Sequence, residues 1–151
     1  MTTAAPIVLL LHGPNLNLLG SREPQVYGTA TLADHVATAE RVATEHGLTI
    51  ETAQSNHEGA LIDAIHGARG RCAAIIINAG ALTHYAWSIH DALAAFDGPV
   101  VELHLSNPNL REPWRHTSVI APVATGSIVG FGGFGYELAV RAAADLLARR
   151  G

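Results

Sequence analysis

The run Ala73-Ala74-Ile75-Ile76-Ile77, closed by Asn78, constrains this chain more than any other stretch. Successive residues of a strand point to opposite faces, so a strand that is apolar at every position must be covered on both. Parallel sheets sandwiched between helices meet that demand. The rest of the chain therefore has to supply more strands and enough helices for two faces. Residues 7–12 read as a first buried strand and 48–53 as a second, shorter and half apolar. Residues 99–105 read as a fourth strand and 119–122 as a short fifth. Between them lie helical patterns. One is capped by Thr31 or Thr29 and runs to about His46, with Leu32, Val36, Ala39, Val42 and Ala43 on one face, and Gly47 stops it. Asn56 caps the next, which ends near Gly67 or Gly70. Thr83 caps a third, reaching about Phe96, and residues 136–150 form a closing helix. Strands alternating with helices predict an α/β fold, a flavodoxin-like three-layer sandwich whose five-stranded parallel sheet has the order 2-1-3-4-5. With 151 residues and no linker or repeat, a single catalytic domain over 1–151 is expected.

In such a fold ligands bind beyond the carboxyl ends of the strands, so the loops there carry the chemistry. The loop after the first strand, residues 13–28, is long for its place and holds Asn15, Arg22 and Tyr27. A guanidinium near a phenol favours the phenolate, which makes Tyr27 a candidate general base beside Arg22. Asn78 stands at the edge of the third strand. His84 and Asp91 follow seven residues apart, a spacing that puts both on one face of the helix expected there. A histidine that opens a helix is as often a surface residue as a ligand. On the fourth strand Glu102 and His104 are i and i+2 and share a face. A carboxylate beside an imidazole fixes its tautomer and favours its protonated form, suiting a general acid; the alternative is a purely structural pair. Arg111 and Arg115 come next. With the backbone N–H groups of Leu105 and Ser106 they form an anion site, so the substrate is a small anion such as a carboxylate.

Composition removes other classes. The net charge of −4 speaks against a general nucleic-acid binder. All nine basic residues are arginine, which excludes a lysine Schiff base and the lysine of a phosphate-binding Walker loop. The one cysteine, Cys72, excludes a disulfide framework and a multi-cysteine metal site, and it reads as a small buried filler. The opening residues lack a basic leader segment and no stretch spans a membrane, so the expected location is the cytoplasm. The glycines from Gly130 to Gly135 match G-x-G-x-x-G but lie near the end of the chain, with no strand after them. They read as tight backbone packing or a subunit contact, not a dinucleotide site.

The segments HGPNLNLLGSREPQVYG, QSNHEGALIDAIH, IINAGALTHYAWSIHDAL, VELHLSNPNLREPWRHTSVI and ATGSIVGFGGFGYELA cover most of the chain. In order and spacing they resemble type II 3-dehydroquinate dehydratase. The resemblance implies a hydro-lyase of the shikimate pathway of aromatic amino-acid biosynthesis, converting 3-dehydroquinate to 3-dehydroshikimate through an enolate. It implies no metal and no organic cofactor, and assembly as a homododecamer, a tetramer of trimers. By position, Tyr27 resembles the proton-abstracting residue, Arg22 the transition-state stabiliser on a mobile lid, and Asn15 the residue that positions a water at the enolate. His104 resembles the proton donor with Glu102 as its partner. Asn78, His84, Asp91, Leu105, Ser106, Arg111 and Arg115 match substrate contacts, Asp91 reaching a neighbouring subunit's site. His12 departs from the asparagine common at its place. The competing reading is a flavodoxin-like module that binds a nucleotide or flavin. That would want a Ser/Thr-rich phosphate loop after the first strand, where this chain is rich in Asn and Leu.

Overall fold

The computed structural model describes residues 3–151. Five parallel strands form one sheet: β1 (Ile7–His12), β2 (Thr49–Gln54), β3 (Ala74–Asn78), β4 (Val100–His104) and β5 (Gly126–Val129). Their order is β2-β1-β3-β4-β5, as the pattern predicts. The helices are α1 (Pro24–Tyr27), α2 (Leu32–Glu45), α3 (Glu58–Ala68), α4 (Trp87–Ala94) and α5 (Phe134–Arg150). Among the described residues, no helix is long and apolar enough to cross a membrane.

Alternation along the strands divides the core in two. Val8, Leu10, Ile76, Val101 and Leu103 pack on the side of α2 and α5, together with Tyr136. Leu9, Leu11, Ile75, Ile77 and Val100 pack on the side of α3 and α4, with Leu61, Ile65 and Ile89. Ile75, Ile76 and Ile77 are all wholly buried, and each such side chain contributes about 1.5–3 kcal/mol of transfer free energy. Cys72 is a free thiol buried on the α3–α4 side, a filler as expected.

Local chemistry sets the helix starts. Thr31 caps α2 in a reciprocal box with Asp34, Thr31 Oγ1 accepting from the Asp34 N–H and Asp34 Oδ2 from the Thr31 N–H. Asn56 does not cap α3; His57 takes that position, and Asn56 instead holds the first loop, as described below. Thr83 does not cap α4 either. It lies inside a 3₁₀ turn, Gly80–His84, and α4 starts only at Trp87. The glycines at 133 and 135 serve tight packing: a Cβ on Gly133 would lie 2.7 Å from His35 Cε1, and one on Gly135 2.9 Å from Leu103 Cδ1.

The fifth strand is not at 119–122. Val119 and Ile120 are buried and β-branched, the pattern of a strand, but Ser118 Oγ accepts from the N–H groups of Ile120 and Ala121 and turns the chain there. A 3₁₀ turn, Ala121–Val123, follows. The strand comes later, at Gly126–Val129, on the sheet edge. Gly126 and Ser127 are exposed and Ile128 and Val129 only half-buried, so its apolar signal is weak.

Candidate active site

The carboxyl ends of β1, β3 and β4 open onto one cleft. The loop after β1 is pressed against the end of β3, where the Gly13 N–H donates to the Asn78 carbonyl at 2.8 Å. A Cβ on Gly13 would sit 2.3 Å from the Ala79 carbonyl oxygen, so only glycine fits. Gln54 Nε2 donates to the Gly13 carbonyl at 3.1 Å, and the Asn15 N–H donates to Asn56 Oδ1 at 3.0 Å. Asn15 is held in the left-handed region at φ 70°, which asparagine tolerates better than most residues. Its backbone is thereby held at the mouth of the cleft, which Asn15 lines. Gln54 and Asn56 are supporting residues the sequence did not reveal.

Tyr27 ends α1 and faces two arginines. Arg111 Nη1 donates to the Tyr27 hydroxyl oxygen at 2.7 Å, and the Arg22 guanidinium lies 4.9 Å from the centre of the ring. The sequence pairs Tyr27 with Arg22, whereas the arginine on the oxygen is Arg111, 84 positions away in the chain. The same Arg111 nitrogen lies 3.4 Å from Ser106 Oγ, which ties the tyrosine to the end of β4. Two guanidinium groups around one phenol provide positive charge where an oxyanion would form.

Opposite stands the Glu102–His104 pair. Glu102 is 2% exposed and His104 9%, and His104 Nε2 meets Glu102 Oε2 at 2.7 Å. Burial alone would raise the Glu102 carboxyl. The bond and charge of His104, with hydroxyl donation from Ser118 and Ser127, outweigh it and hold the carboxyl below its ordinary range. Ser118 Oγ donates to Oε2 at 2.7 Å, Thr83 Oγ1 to Oε2 at 3.3 Å and Ser127 Oγ to Oε1 at 3.3 Å. A second, half-open cavity lies behind the pair, lined by Glu102, His104, His116, Ser118 and Ser127 among others.

His84 closes the 3₁₀ turn after β3. Its Nδ1 bonds the Thr117 carbonyl oxygen at 2.7 Å, and its ring meets Trp114 edge-on at 5.4 Å between centroids. Burial lowers its basicity; the bond to Thr117 opposes this, and the charges of His104 and Arg115 reinforce it. Arg115 stacks on Trp114 with its guanidinium 4.0 Å from the ring centre, and its Nε donates to Glu112.

Asn15, Arg22, Tyr27, Asn78, His84, His104, Leu105, Ser106, Arg111 and Arg115 all line the one cleft. Glu102 lies behind His104 and reaches the cleft through it. Asp91 is the exception. The break between the 3₁₀ turn and α4 removes the shared helix face, and Asp91 sits exposed on α4, outside the cleft of its own chain. No group of three or more His, Cys, Asp or Glu side chains with the arrangement of a metal site occurs among the described residues. The contributions of Thr83, Ser118 and Ser127 were not legible in the sequence, since a hydroxyl in a turn or edge strand carries no pattern.

Three comparisons bear on this cleft. The sequence profile of the family "Dehydroquinase class II" matches residues 6–144. The chain is 54% identical over 145 residues to "3-dehydroquinate dehydratase 2" of Pseudomonas putida, covering 96% of this chain and 97% of that protein. It is 53% identical over 133 residues to "Catabolic 3-dehydroquinase" of Penicillium rubens, covering 88% and 86%. Among solved structures it resembles the type II dehydroquinase from Propionibacterium acnes, with a TM-score of 0.90 and 40% identity over 95% of this chain and 99% of that one.

Proposed function

Because the chain belongs to the dehydroquinase class II family and is a 3-dehydroquinate dehydratase, we propose that its cleft divides the dehydration between Tyr27 and His104. The reaction is a hydro-lyase step of the shikimate pathway that turns 3-dehydroquinate into 3-dehydroshikimate. Tyr27, as phenolate, takes the proton alpha to the ketone, and the C–H electron pair moves into an enolate. Arg22 and Arg111 face the charge as it moves from phenolate towards substrate. Asn15 positions a water at the enolate oxygen. The enolate then re-forms the ketone and expels the hydroxyl, which leaves as water with a proton from His104. The cycle resets by a net return of one proton from Tyr27 to His104. The observation that supports this division most is the Arg111 bond to the Tyr27 oxygen at 2.7 Å, with the buried Glu102–His104 pair lining the same cleft. Since Nε2 of His104 is engaged by Glu102, Nδ1 is the nitrogen left for the substrate.

Asn78, His84, Arg115 and the Leu105–Ser106 backbone bind the anionic substrate. Residues 1–151 act as one catalytic domain in the cytoplasm. The chain assembles as a homododecamer, a tetramer of trimers. Asp91, exposed beside Tyr85 and Trp87 at 62% and 61%, then meets a neighbouring subunit's cleft.

The test is direct. Purified protein given 3-dehydroquinate forms an ultraviolet-absorbing enone. Tyr27→Phe lowers kcat by about 10²–10⁴-fold, with the fold intact because the ring keeps its packing against the core. Turnover near the wild-type rate in Tyr27→Phe would move the base elsewhere. Borohydride with substrate traps no side-chain imine, because the chain has no lysine.

A further inference from the structure

The serine hydroxyl carries one hydrogen and two acceptor lone pairs. At Ser118 the acceptor side is taken by the N–H groups of Ile120 and Ala121, at 3.1 and 3.0 Å. The one hydrogen is left for Glu102 Oε2 at 2.7 Å. Ser118 is therefore a one-way donor, unable to turn and accept a proton from a neutral carboxyl group. Ser127 and Thr83 stand at 3.3 Å on the same carboxylate, and His104 Nε2 at 2.7 Å. A carboxylate accepts through every one of these contacts, whereas a protonated carboxyl would set its own hydrogen against one of these donors.

The segment that carries Ser118 is also held by ties that do not use its hydroxyl. The Val119 N–H donates to the Thr83 carbonyl at 2.8 Å, His84 Nδ1 bonds the Thr117 carbonyl oxygen, and His90 Nδ1 bonds the Val119 carbonyl oxygen, both at 2.7 Å. These ties strap residues 117–119 to the turn after β3 and to α4 on either side of the serine.

We propose that Ser118 is a positioning residue for the dehydration: by donating to Glu102 it keeps that carboxylate a fixed anion, which holds the Nε2–H of His104 without ever taking that proton. The inference rests on the reading of His104 as the acid. It goes beyond that reading by assigning Glu102 the role of counter-ion and excluding it as a relay. The proton spent at Nδ1 must then return through the cleft, not through the carboxylate. Titratable and charged groups facing Glu102 are His104 on its own strand, His84 from the turn after β3, and Arg115 and His116 from the loop before the strap. On α4, His90 is held by the Val119 carbonyl. β3, β5 and the strap contribute none.

The experiment compares Ser118→Ala, Ser118→Thr and Ser127→Ala in the full-length protein. In Ser118→Ala, kcat falls about 10-fold or more while KM changes little, as loss of a hydrogen bond to a charged group predicts. The acid limb of its kcat–pH profile moves to higher pH, because the anion has lost a donor. Ser118→Thr restores most of both. Ser127→Ala, which leaves the strap untouched, moves the limb the same way by less. In substrate-free wild-type protein labelled with ¹⁵N-histidine, His104 is protonated at Nε2 throughout the pH range of activity, and in Ser118→Ala that signal weakens. Variants that lose thermal stability but keep kcat and the acid limb would overturn the assignment, as would a threonine that fails to rescue. The nuclear resonance readout needs no turnover. It fails separately from the dehydratase reading, which fails only if the wild-type protein leaves 3-dehydroquinate unchanged.

Discussion

Each face of the sheet carries a buried polar cluster at its carboxyl end, and the two are built on opposite rules. On the α3–α4 side, Glu102 is surrounded by donors on both oxygens. On the α2–α5 side, Tyr136 is stacked between His12 and His35, with ring centroids 5.7 and 4.8 Å away. Its hydroxyl meets His12 Nε2 at 2.9 Å, yet His12 Nδ1 and His35 Nε2 are buried with no well-formed hydrogen bond. Burial pushes His12 down to about 4, the Ala53 backbone offsetting part of the effect and the charge of His35 adding to it. Burial also lowers His35, against the pull of Asp34, and raises the Tyr136 hydroxyl, against donation from Asn78. Nothing in this second cluster carries charge near neutrality. A neutral buried group tolerates a missing bond at about 1–3 kcal/mol, whereas an unpaired buried charge costs more. The complete set of partners thus marks the cluster that keeps a charge, and the incomplete set marks the one that does not.

The sharpest way to break this contrast is Glu102→Gln. The amide keeps the shape but not the charge, and it can present its NH₂ to His104, favouring the wrong tautomer. A loss in kcat of about 10³–10⁴-fold is expected, comparable with the effect of amide substitution in the Ser-His-Asp triad. Steady-state kinetics at neutral pH check it. A variant that kept near-normal kcat would put the two clusters on the same footing.

Acid titration of stability separates them next. His12 binds its proton near pH 4 in the fold and near 6.5 in the unfolded chain. As pH falls the unfolded chain is protonated first, so stability is full above about 6.5, declines between 6.5 and 4, and then levels off. The decline is about 3 kcal/mol. Glu102 behaves in the other window. Its folded value lies below the ordinary 4.5, so its contribution is present above that value and is lost only as pH falls through the lowered one. Urea denaturation at a series of pH values should show the decline in the wild type and a decline about 3 kcal/mol smaller in His12→Asn, where His35 and His84 still contribute. If that variant kept the full decline, His12 would not be its main source.

Smaller effects sharpen the picture. Tyr136→Phe leaves His12 Nε2 without its partner in a site 0% exposed, and should lower stability by about 1–3 kcal/mol in the same denaturation assay. Thr83→Val removes the long 3.3 Å contact at Glu102 while keeping the shape, and should cost only about 0.5–1.5 kcal/mol.

What the sequence revealed follows from what leaves a pattern. The apolar run at Ile75–Ile77 dictated a covered parallel sheet, and five strands alternating with helices in one small domain suggested its order. Thr31 was legible as a cap alongside Thr29, but its reciprocal partner Asp34 was not. Val119 and Ile120 misled, because burial and β-branching look alike in a strand and in a tied-down turn. β5 hid because an edge strand beginning at Gly126 has half the apolar signal. In the cleft, Tyr27, Arg22, His104 and Glu102 were visible as chemically loaded residues at strand ends. Asn56 was visible only as a helix cap, although its work is to hold the Asn15 backbone. The Arg111–Tyr27 bond spans half the chain, and no local spacing encodes it.

The strap at residues 117–119 has a consequence for how such a protein can change over time. Thr117 steadies His84, which lines the cleft, and Ser118 steadies the carboxylate behind His104. A drift that re-aims one re-aims the other. Selection for a bulkier or differently charged substrate would therefore disturb turnover as soon as it touched this segment. New specificities are more accessible from the loop after β1, whose residues Asn15, Arg22 and Tyr27 also line the cleft and share no peptide with the strap.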